Sequence, residues 1–303
     1  MIRTRCLVLR LVGGLLALLA AGGALAAATA AAPAPSTPAP ARHPAAAAAE
    51  EAFFAAFVGG GPREAPLVPL LGAWAAAPDD ARTNLLLGLD HLWIAAEGED
   101  RDPRLIEHLL LAELFLARAQ ELDPADGRIA SWLVPARLAL ADLRRDPAAA
   151  AAAREELLAA YRRDPAFHGF TVAMLGFGHR AGTPAFERGL AALDEVAAGG
   201  CEEGDPTCEN RPRWAHNVEA YLTFSADYRL KAGDREGAAA LLAEAGTLPS
   251  YSEWPFRGEA EARLAALDER AALYANADAA DDPPSLFSSH GCRSCHLAAA
   301  AAR

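Results

Sequence analysis

Residues 105–126 read LIEHLLLAELFLARAQELDPAD, and this stretch decides the fold. Its apolar residues recur at steps of three and four, which places them on one face of a helix: Leu105, Leu109, Ala112, Leu116 and Ala119. The stretch closes with the dipeptide Asp123-Pro124, which is also typical of helical proteins. The segment therefore predicts an amphipathic helix that must be covered by neighbouring helices.

The Asp-Pro dipeptide occurs four times in this part of the chain, at residues 102–103, 123–124, 146–147 and 164–165. An Asp side chain accepts hydrogen bonds from the free N–H groups of a first helical turn, and proline suits the first helical position. Each dipeptide thus predicts a helix start. Starts roughly twenty residues apart fit helices that are joined by short loops and stacked as antiparallel hairpins.

The same helical pattern continues over residues 45–277 and predicts one all-α domain of helical hairpins. Residues 112–126 and 228–249 resemble tetratricopeptide-type repeats in the placement of alanine and leucine and in the closing proline. The resemblance implies a repeat solenoid. A nonrepeating helical bundle is the alternative, because alanine-rich amphipathic helices of any origin imitate such repeats.

The N-terminus predicts export from the cytoplasm. Basic residues precede an apolar run that ends in small residues, so residues 1–32 are typical of a secretory signal peptide. An uncleaved membrane anchor is the alternative, because residues 11–32 are long enough to cross a bilayer. Residues 33–44 form a predicted Pro/Ala-rich linker. We therefore expect a periplasmic or otherwise exported protein, in contact with a membrane only if the segment stays attached.

The composition restricts the partners of the protein. The chain has 303 residues, of which 40 are acidic and 28 are Lys or Arg, so the formal net charge is −12. Nucleic-acid binding requires clustered positive charge and is disfavoured. A basic partner protein is favoured instead.

Five cysteines are present. Cys6 lies in the predicted signal region, so it is removed with the signal peptide or remains cytoplasmic. Cys201 and Cys208 enclose six residues of a polar, helix-breaking stretch, and in an oxidising compartment this spacing predicts a local disulfide.

The remaining two cysteines lie in residues 283–296, which read PPSLFSSHGCRSCH. Cys292, Cys295 and His296 match the Cys-x-x-Cys-His pattern of c-type haem attachment. On a helix these positions share one face, so both sulfurs can reach one porphyrin while the imidazole points at the iron. Residues 278–303 are thus predicted to bind one covalent haem c, with Cys292 and Cys295 as thioether anchors and His296 as the proximal ligand.

Leu286-Phe287 and His290-Gly291 resemble the beginning of class I cytochrome c domains, which implies electron transfer. Only seven residues follow His296, so we do not expect the complete class I fold with its methionine ligand. The position of the motif is similar to that in class II cytochromes c, where the haem packs against helices earlier in the chain. A truncated chain is a further alternative.

Two other readings of the motif remain open. A metal such as zinc could bind His290, Cys292, Cys295 and His296, but zinc modules usually join ligand pairs from separate segments. A redox dithiol would normally follow a strand in a βαβ unit, which this helical sequence does not offer.

A second axial ligand could come from residues 167–179, FHGFTVAMLGFGH. The candidates are Met174, His168 and His179. Glycines in this segment would permit close approach of a flat ring: Gly169, Gly176 and Gly178. Core packing explains the apolar stripe of the segment more simply, and a five-coordinate iron is also open.

The sequence thus predicts an exported monohaem c-type cytochrome-like protein, an electron carrier rather than a catalyst, with a redox partner protein. Phosphate-binding loops, nucleophile elbows and zinc-protease motifs are absent from the sequence. One alternative is a tetratricopeptide-like periplasmic scaffold with a vestigial haem motif. Another is a catalytic or sensory haem.

Overall fold

The leucine- and alanine-rich sequence forms helices along most of its described length. A computed structural model describes residues 43–97, 104–199, 216–276, 278–291 and 293–296. Within these ranges the regular secondary structure is helical and contains no strand. The predicted all-α fold class is confirmed.

The helices follow one another with short connections. The α-helices are α1 (Pro44–Gly59), α2 (Leu67–Ala76), α3 (Ala81–Glu97), α4 (Leu105–Leu122), α5 (Ala130–Arg144), α6 (Pro147–Arg163), α7 (Pro165–Phe177), α8 (Pro184–Gly199), α9 (Asn217–Lys231), α10 (Arg235–Thr247), α11 (Arg257–Ala265), α12 (Leu267–Ala275), α13 (Leu286–His290) and α14 (Arg293–His296). Within the described ranges, 3-10 turns lie at Gly127–Ile129 and Tyr251–Glu253.

Neighbours in sequence are also neighbours in space. The most extensive packing joins α3 to α4, α5 to α6, α7 to α8 and α9 to α10, and α4 and α6 each also pack on the helix that follows. This pattern is that of stacked helical hairpins and fits a solenoid as well as a bundle.

Two of the Asp-Pro predictions are confirmed. At α6 the Asp146 carboxylate accepts hydrogen bonds from the N–H groups of Ala148 and Ala149, each at 3.0 Å. At α7 the Asp164 carboxylate accepts from the N–H of Phe167 at 3.1 Å. In both helices the proline follows at the first position, as capping chemistry requires.

The prediction at Asp123-Pro124 is wrong. Helix α4 has just ended at Leu122, and Asp123 accepts a hydrogen bond from the N–H of Asp126 at 3.2 Å within the connecting turn. Asp126 then caps the 3-10 turn by accepting from the N–H of Arg128 at 3.0 Å. The dipeptide at residues 102–103 lies outside the described residues.

Helix α1 begins at Pro44, the last residue of the predicted linker, and His43 caps it. Residues 1–42 lie outside the described residues, so the signal peptide, the fate of Cys6 and most of the linker stay predictions. Among the helices that the structure describes, none combines the length and the apolar character needed to cross a bilayer.

The largest core cluster joins α7 through α12 to the C-terminal segment. Leu286 and Cys295 are buried in it together with the aromatic side chains of α7 and α9. Close helix approach helps to form this cluster: a Cβ added to Gly176 would lie 2.5 Å from the Tyr228 hydroxyl and 2.8 Å from the Ala185 carbonyl oxygen. The C-terminal segment is thus part of the core of the helical domain.

Candidate functional site

The segment that leads to the haem motif runs antiparallel to α9 along its whole length. Asp282 forms an ion pair with Lys231 at 2.8 Å, near the C-terminal end of α9. The N–H of Leu286 donates to the Asp227 carboxylate at 3.1 Å, about one turn earlier in α9. The carbonyl oxygen of Cys295 accepts from the N–H of His216, immediately before α9, at 3.2 Å. The position of the motif is therefore set by α9.

Asp227 is the central polar group of this contact. Its carboxylate is 2% exposed and accepts from Arg263 Nε at 3.1 Å and from an Arg270 guanidinium nitrogen at 2.7 Å. The same two guanidinium groups donate to the carbonyl oxygen of Pro284 at 3.3 and 3.2 Å. One buried carboxylate thus binds two arginines and a main-chain N–H, and these charge-assisted hydrogen bonds join α11 and α12 to the C-terminal segment.

Aromatic contacts fix the next residues. The ring of Phe287 lies 5.0 Å from that of Phe170 on α7 and 5.4 Å from that of Phe224 on α9, centre to centre. The His290 ring lies 4.5 Å from the Phe256 ring. His290 Nε2 lies 3.3 Å from the Glu259 carboxylate, so this side chain contacts the domain rather than the motif.

The motif itself begins outside the described residues, because Cys292 is not among them. Residues 293–296 form the single helical turn α14, whose carbonyl groups bond to the domain. The indole N–H of Trp254, a fully buried side chain, donates to the Ser294 carbonyl at 2.9 Å. Cys295 is 4% exposed. Nothing is described of the His296 side chain, so the complete ligand set stays a prediction.

Helix α14 also contacts α1, at the other end of the helical series. A Cβ added to Gly291 would lie 3.9 Å from the side chain of Glu97, the last residue of α3. Arg63, between α1 and α2, donates a hydrogen bond to the Glu97 carbonyl oxygen. The motif therefore lies where the first helices meet the start of α9.

The donor chemistry of this place fits a c-type haem. In the i, i+3, i+4 pattern of a helix two thioethers and one imidazole share one side, and the described turn at residues 293–296 contains the second cysteine of the motif, Cys295. The buried, largely apolar surroundings of Cys295 suit the macrocycle of such a group. Among the described residues, no group of three or more His, Cys, Asp or Glu side chains could hold a metal ion.

The three predicted distal candidates lie in α7 or directly after it, and two of them lie away from Cys295. His168 is buried and its Nδ1 shares a hydrogen bond with the Ser131 hydroxyl on α5. Burial lowers the pKa of His179, and the charges of Arg154 and Lys231 lower it further. Lys231 ends α9, roughly 22 Å along the helix axis from the residue that contacts Cys295.

Met174 is half-buried and packs against the core cluster that also contains Cys295. It is the one distal candidate of the three that shares this cluster. The glycines near it serve helix packing: a Cβ added to Gly169 would lie 2.9 Å from the Ala192 carbonyl oxygen on α8. Gly176 likewise faces Tyr228 and Ala185. The described contacts of these two glycines are thus those of packed helices.

The residue that the sequence analysis did not single out is His216. Its ring is 3% exposed, and its Nδ1 lies 3.2 Å from the carboxylate of Glu219, which is 1% exposed. Burial raises the pKa of Glu219, but hydrogen bonds from His216 and Ser250 outweigh burial and hold it below its ordinary value. No spacing in the sequence connects His216 with a motif almost eighty residues away, so only the fold reveals the contact.

The predicted disulfide partners, Cys201 and Cys208, lie outside the described residues, and the disulfide stays a prediction. Comparison of the chain with protein-family models, with curated proteins and with solved structures found no match. The functional argument therefore depends on the motif and on the contacts around it.

Proposed function

We propose that this chain is an exported monohaem c-type cytochrome-like protein that transfers electrons. In this proposal Cys292 and Cys295 each add their thiol across one vinyl group of the porphyrin, and His296 ligates the iron. The bound haem would supply one-electron exchange at its iron. The chain would supply attachment, one axial ligand and an apolar environment.

One observation supports the proposal: the helical domain holds in place the turn of residues 293–296, which contains the predicted thioether anchor Cys295. Trp254 and His216 bond to the carbonyl groups of Ser294 and Cys295, which would otherwise be unpaired at the end of a short helix. A C-terminal segment without a function would not need hydrogen bonds from the domain to these two carbonyl groups. This supports an attachment site that is part of the folded domain.

The partner in this proposal is a redox protein with a basic docking surface. The formal net charge of −12 favours association with a positively charged partner and steers its approach. Such an association weakens as salt screens the charges. Export, which the N-terminal sequence predicts, would bring the chain to the compartment where c-type haem is attached.

Covalent haem is the property to test first. The full-length chain is coexpressed with a haem-attachment system, and a denaturing gel is stained for haem. We expect a stained band in the wild type that is lost when Cys292→Ala and Cys295→Ala are combined. Cys201→Ala with Cys208→Ala is the matched control, since it removes the same number of thiols and should leave the stain unchanged. An unstained wild type overturns the proposal.

The second candidate is a periplasmic interaction protein with a vestigial motif, and an exposed apolar surface on two helices favours it. The side chains that form it belong to α2 and α4: Val68, Leu71, Trp74, Ile106, Leu110 and Leu114. Contiguous exposed apolar side chains often mark protein-binding sites. Under this candidate the wild type carries no covalent haem, and Leu71→Glu with Leu110→Glu abolishes partner binding.

A further inference from the structure

The histidines of the described residues differ in what their rings already contact. His91 and His108 share a hydrogen bond between their Nδ1 atoms at 2.9 Å. His168 bonds to Ser131, and His290 lies against Glu259 and Phe256. The exposed His43 caps α1. These five rings therefore have structural roles at their own positions.

His216 has a different environment. Its main-chain N–H donates to the carbonyl oxygen of Cys295, one residue before His296. Of all the histidines with described side chains, it is the one hydrogen-bonded to the predicted haem-binding motif. The ring is buried and its Nδ1 faces the buried carboxylate of Glu219. No described residue forms a hydrogen bond with its Nε2.

The contact with Glu219 determines which nitrogen of the His216 ring carries the proton. A carboxylate can only accept a hydrogen bond, so the proton of a neutral imidazole lies on Nδ1 and the lone pair on Nε2. Metal-bound histidines are commonly oriented in this way, by a carboxylate on the nitrogen that does not bind the metal. The buried His216–Glu219 pair thus has the form of a ligand with its supporting partner.

We propose that Nε2 of His216 is the second axial ligand of the iron, opposite His296, with Glu219 as the positioning residue. This inference rests on the proposed function, because it requires the haem on Cys292 and Cys295. Met174 is the rival ligand. It lies one turn of α7 beyond Phe170, on the side of Phe177, whose ring packs against Tyr228, far along α9, and against Tyr274 on α12.

Carbon monoxide and the absorption spectrum test the assignment in the full-length haem protein. In the wild type we expect a low-spin spectrum without a methionine–iron charge-transfer band, and no binding of carbon monoxide to the reduced protein. His216→Ala should give a high-spin spectrum and bind about one carbon monoxide per haem. Added imidazole should restore the low-spin spectrum of that variant.

Two variants serve as matched controls. His168→Ala removes another buried histidine, and Met174→Leu removes the rival ligand; neither should change the spectrum. Glu219→Gln keeps a hydrogen-bonding group but removes the charge, so the reduction potential should rise while the spectrum stays low-spin.

Wild-type protein that binds carbon monoxide at once, or a methionine–iron band that Met174→Leu abolishes, overturns the assignment and leaves the covalent haem untouched. An unstained band on the denaturing gel overturns the proposed function, and the assignment with it. If His216→Ala fails to fold, wild-type protein that binds carbon monoxide, or that shows a methionine–iron band, still overturns the assignment.

Discussion

At the scale of single residues, Asp227 joins the C-terminal segment to the helical domain. Replacing it by Asn would leave Arg270 without its counter-charge and Arg263 paired only with the partly exposed Glu259, and would weaken the contact with the Leu286 N–H. Removing one partner from a buried ion pair costs about 3 kcal/mol or more. We expect Asp227→Asn to lower the free energy of unfolding by that amount in urea titrations.

Asp268→Asn is the control for this variant. Asp268 also pairs with an arginine, Arg235, but its side chain is 80% exposed. Water screens such a pair, so the same substitution should leave the urea midpoint unchanged. Equal effects at both positions would show that the buried network around Asp227 does not stabilise the fold.

The buried carboxyl group of Asp90 predicts a pH dependence of stability. Burial raises its pKa to about 8, nearby Glu64 adds to the shift, and neither carboxyl oxygen has a hydrogen-bond partner among the described residues. Between the unfolded pKa of about 4 and the folded value, the folded state binds the extra proton. Asp90 therefore contributes fully to the free energy of unfolding below about pH 4, and this contribution is lost as the pH rises towards 8.

The measurement is urea unfolding between about pH 6.5 and 8.5. This range avoids the opposite effect of His91, whose pKa is lowered to about 4 by burial and by His108. Asp90→Asn should remove the decline and raise stability at pH 8 by up to about 5 kcal/mol. Asp268→Asn should keep the wild-type slope, and a wild type without any decline would contradict the prediction.

At the scale of single helices, an Asp-Pro dipeptide that caps a helix can be compared with one that lies in a connecting turn. Asp146 caps α6 through two N–H groups, whereas Asp123 accepts one hydrogen bond in a turn after α4. Loss of an N-cap costs about 1 kcal/mol. We expect Asp146→Ala to lower the free energy of unfolding by this amount and Asp123→Ala to lower it by less than half as much, in thermal or urea unfolding.

The same pair of dipeptides shows how far the sequence predicts the fold. Helical periodicity and the chemistry of Asp146 act within one turn, so the sequence predicted the all-α class and the start of α6. It failed at Asp123 because a turn and a helix start use the same local residues. Which of the two forms depends on the residues that follow, where Asp126 takes over as the cap.

The candidate site was predictable only in its local part. The spacing of Cys292, Cys295 and His296 is a property of a few consecutive residues, so the motif is visible in the sequence. The contacts of Trp254 and His216 with that motif cross 40 residues or more of chain. They depend on how α9 packs, and nothing in the periodicity of a single helix encodes such a contact.

At the scale of the whole molecule, the C-terminal segment connects the two ends of the helical series. It runs along α9, and its last described turn contacts α1. The side chains of Leu286 and Cys295 are almost fully buried in the core cluster of α7 through α12. Burial of a side chain such as leucine stabilises a fold by about 1.5 to 3 kcal/mol.

Removal of residues 278–303 should therefore destabilise α1 and α9 together, although they lie far apart in sequence. In hydrogen exchange we expect faster exchange in these two helices and unchanged exchange in α6, which packs between α5 and α7. Asp268→Asn is again the control, since it should leave the protection of all three helices unchanged. If the truncated chain loses protection in α9 alone, the contact between α14 and α1 contributes nothing to stability. The segment would then stabilise only the helix along which it lies, and the two ends of the series would unfold independently.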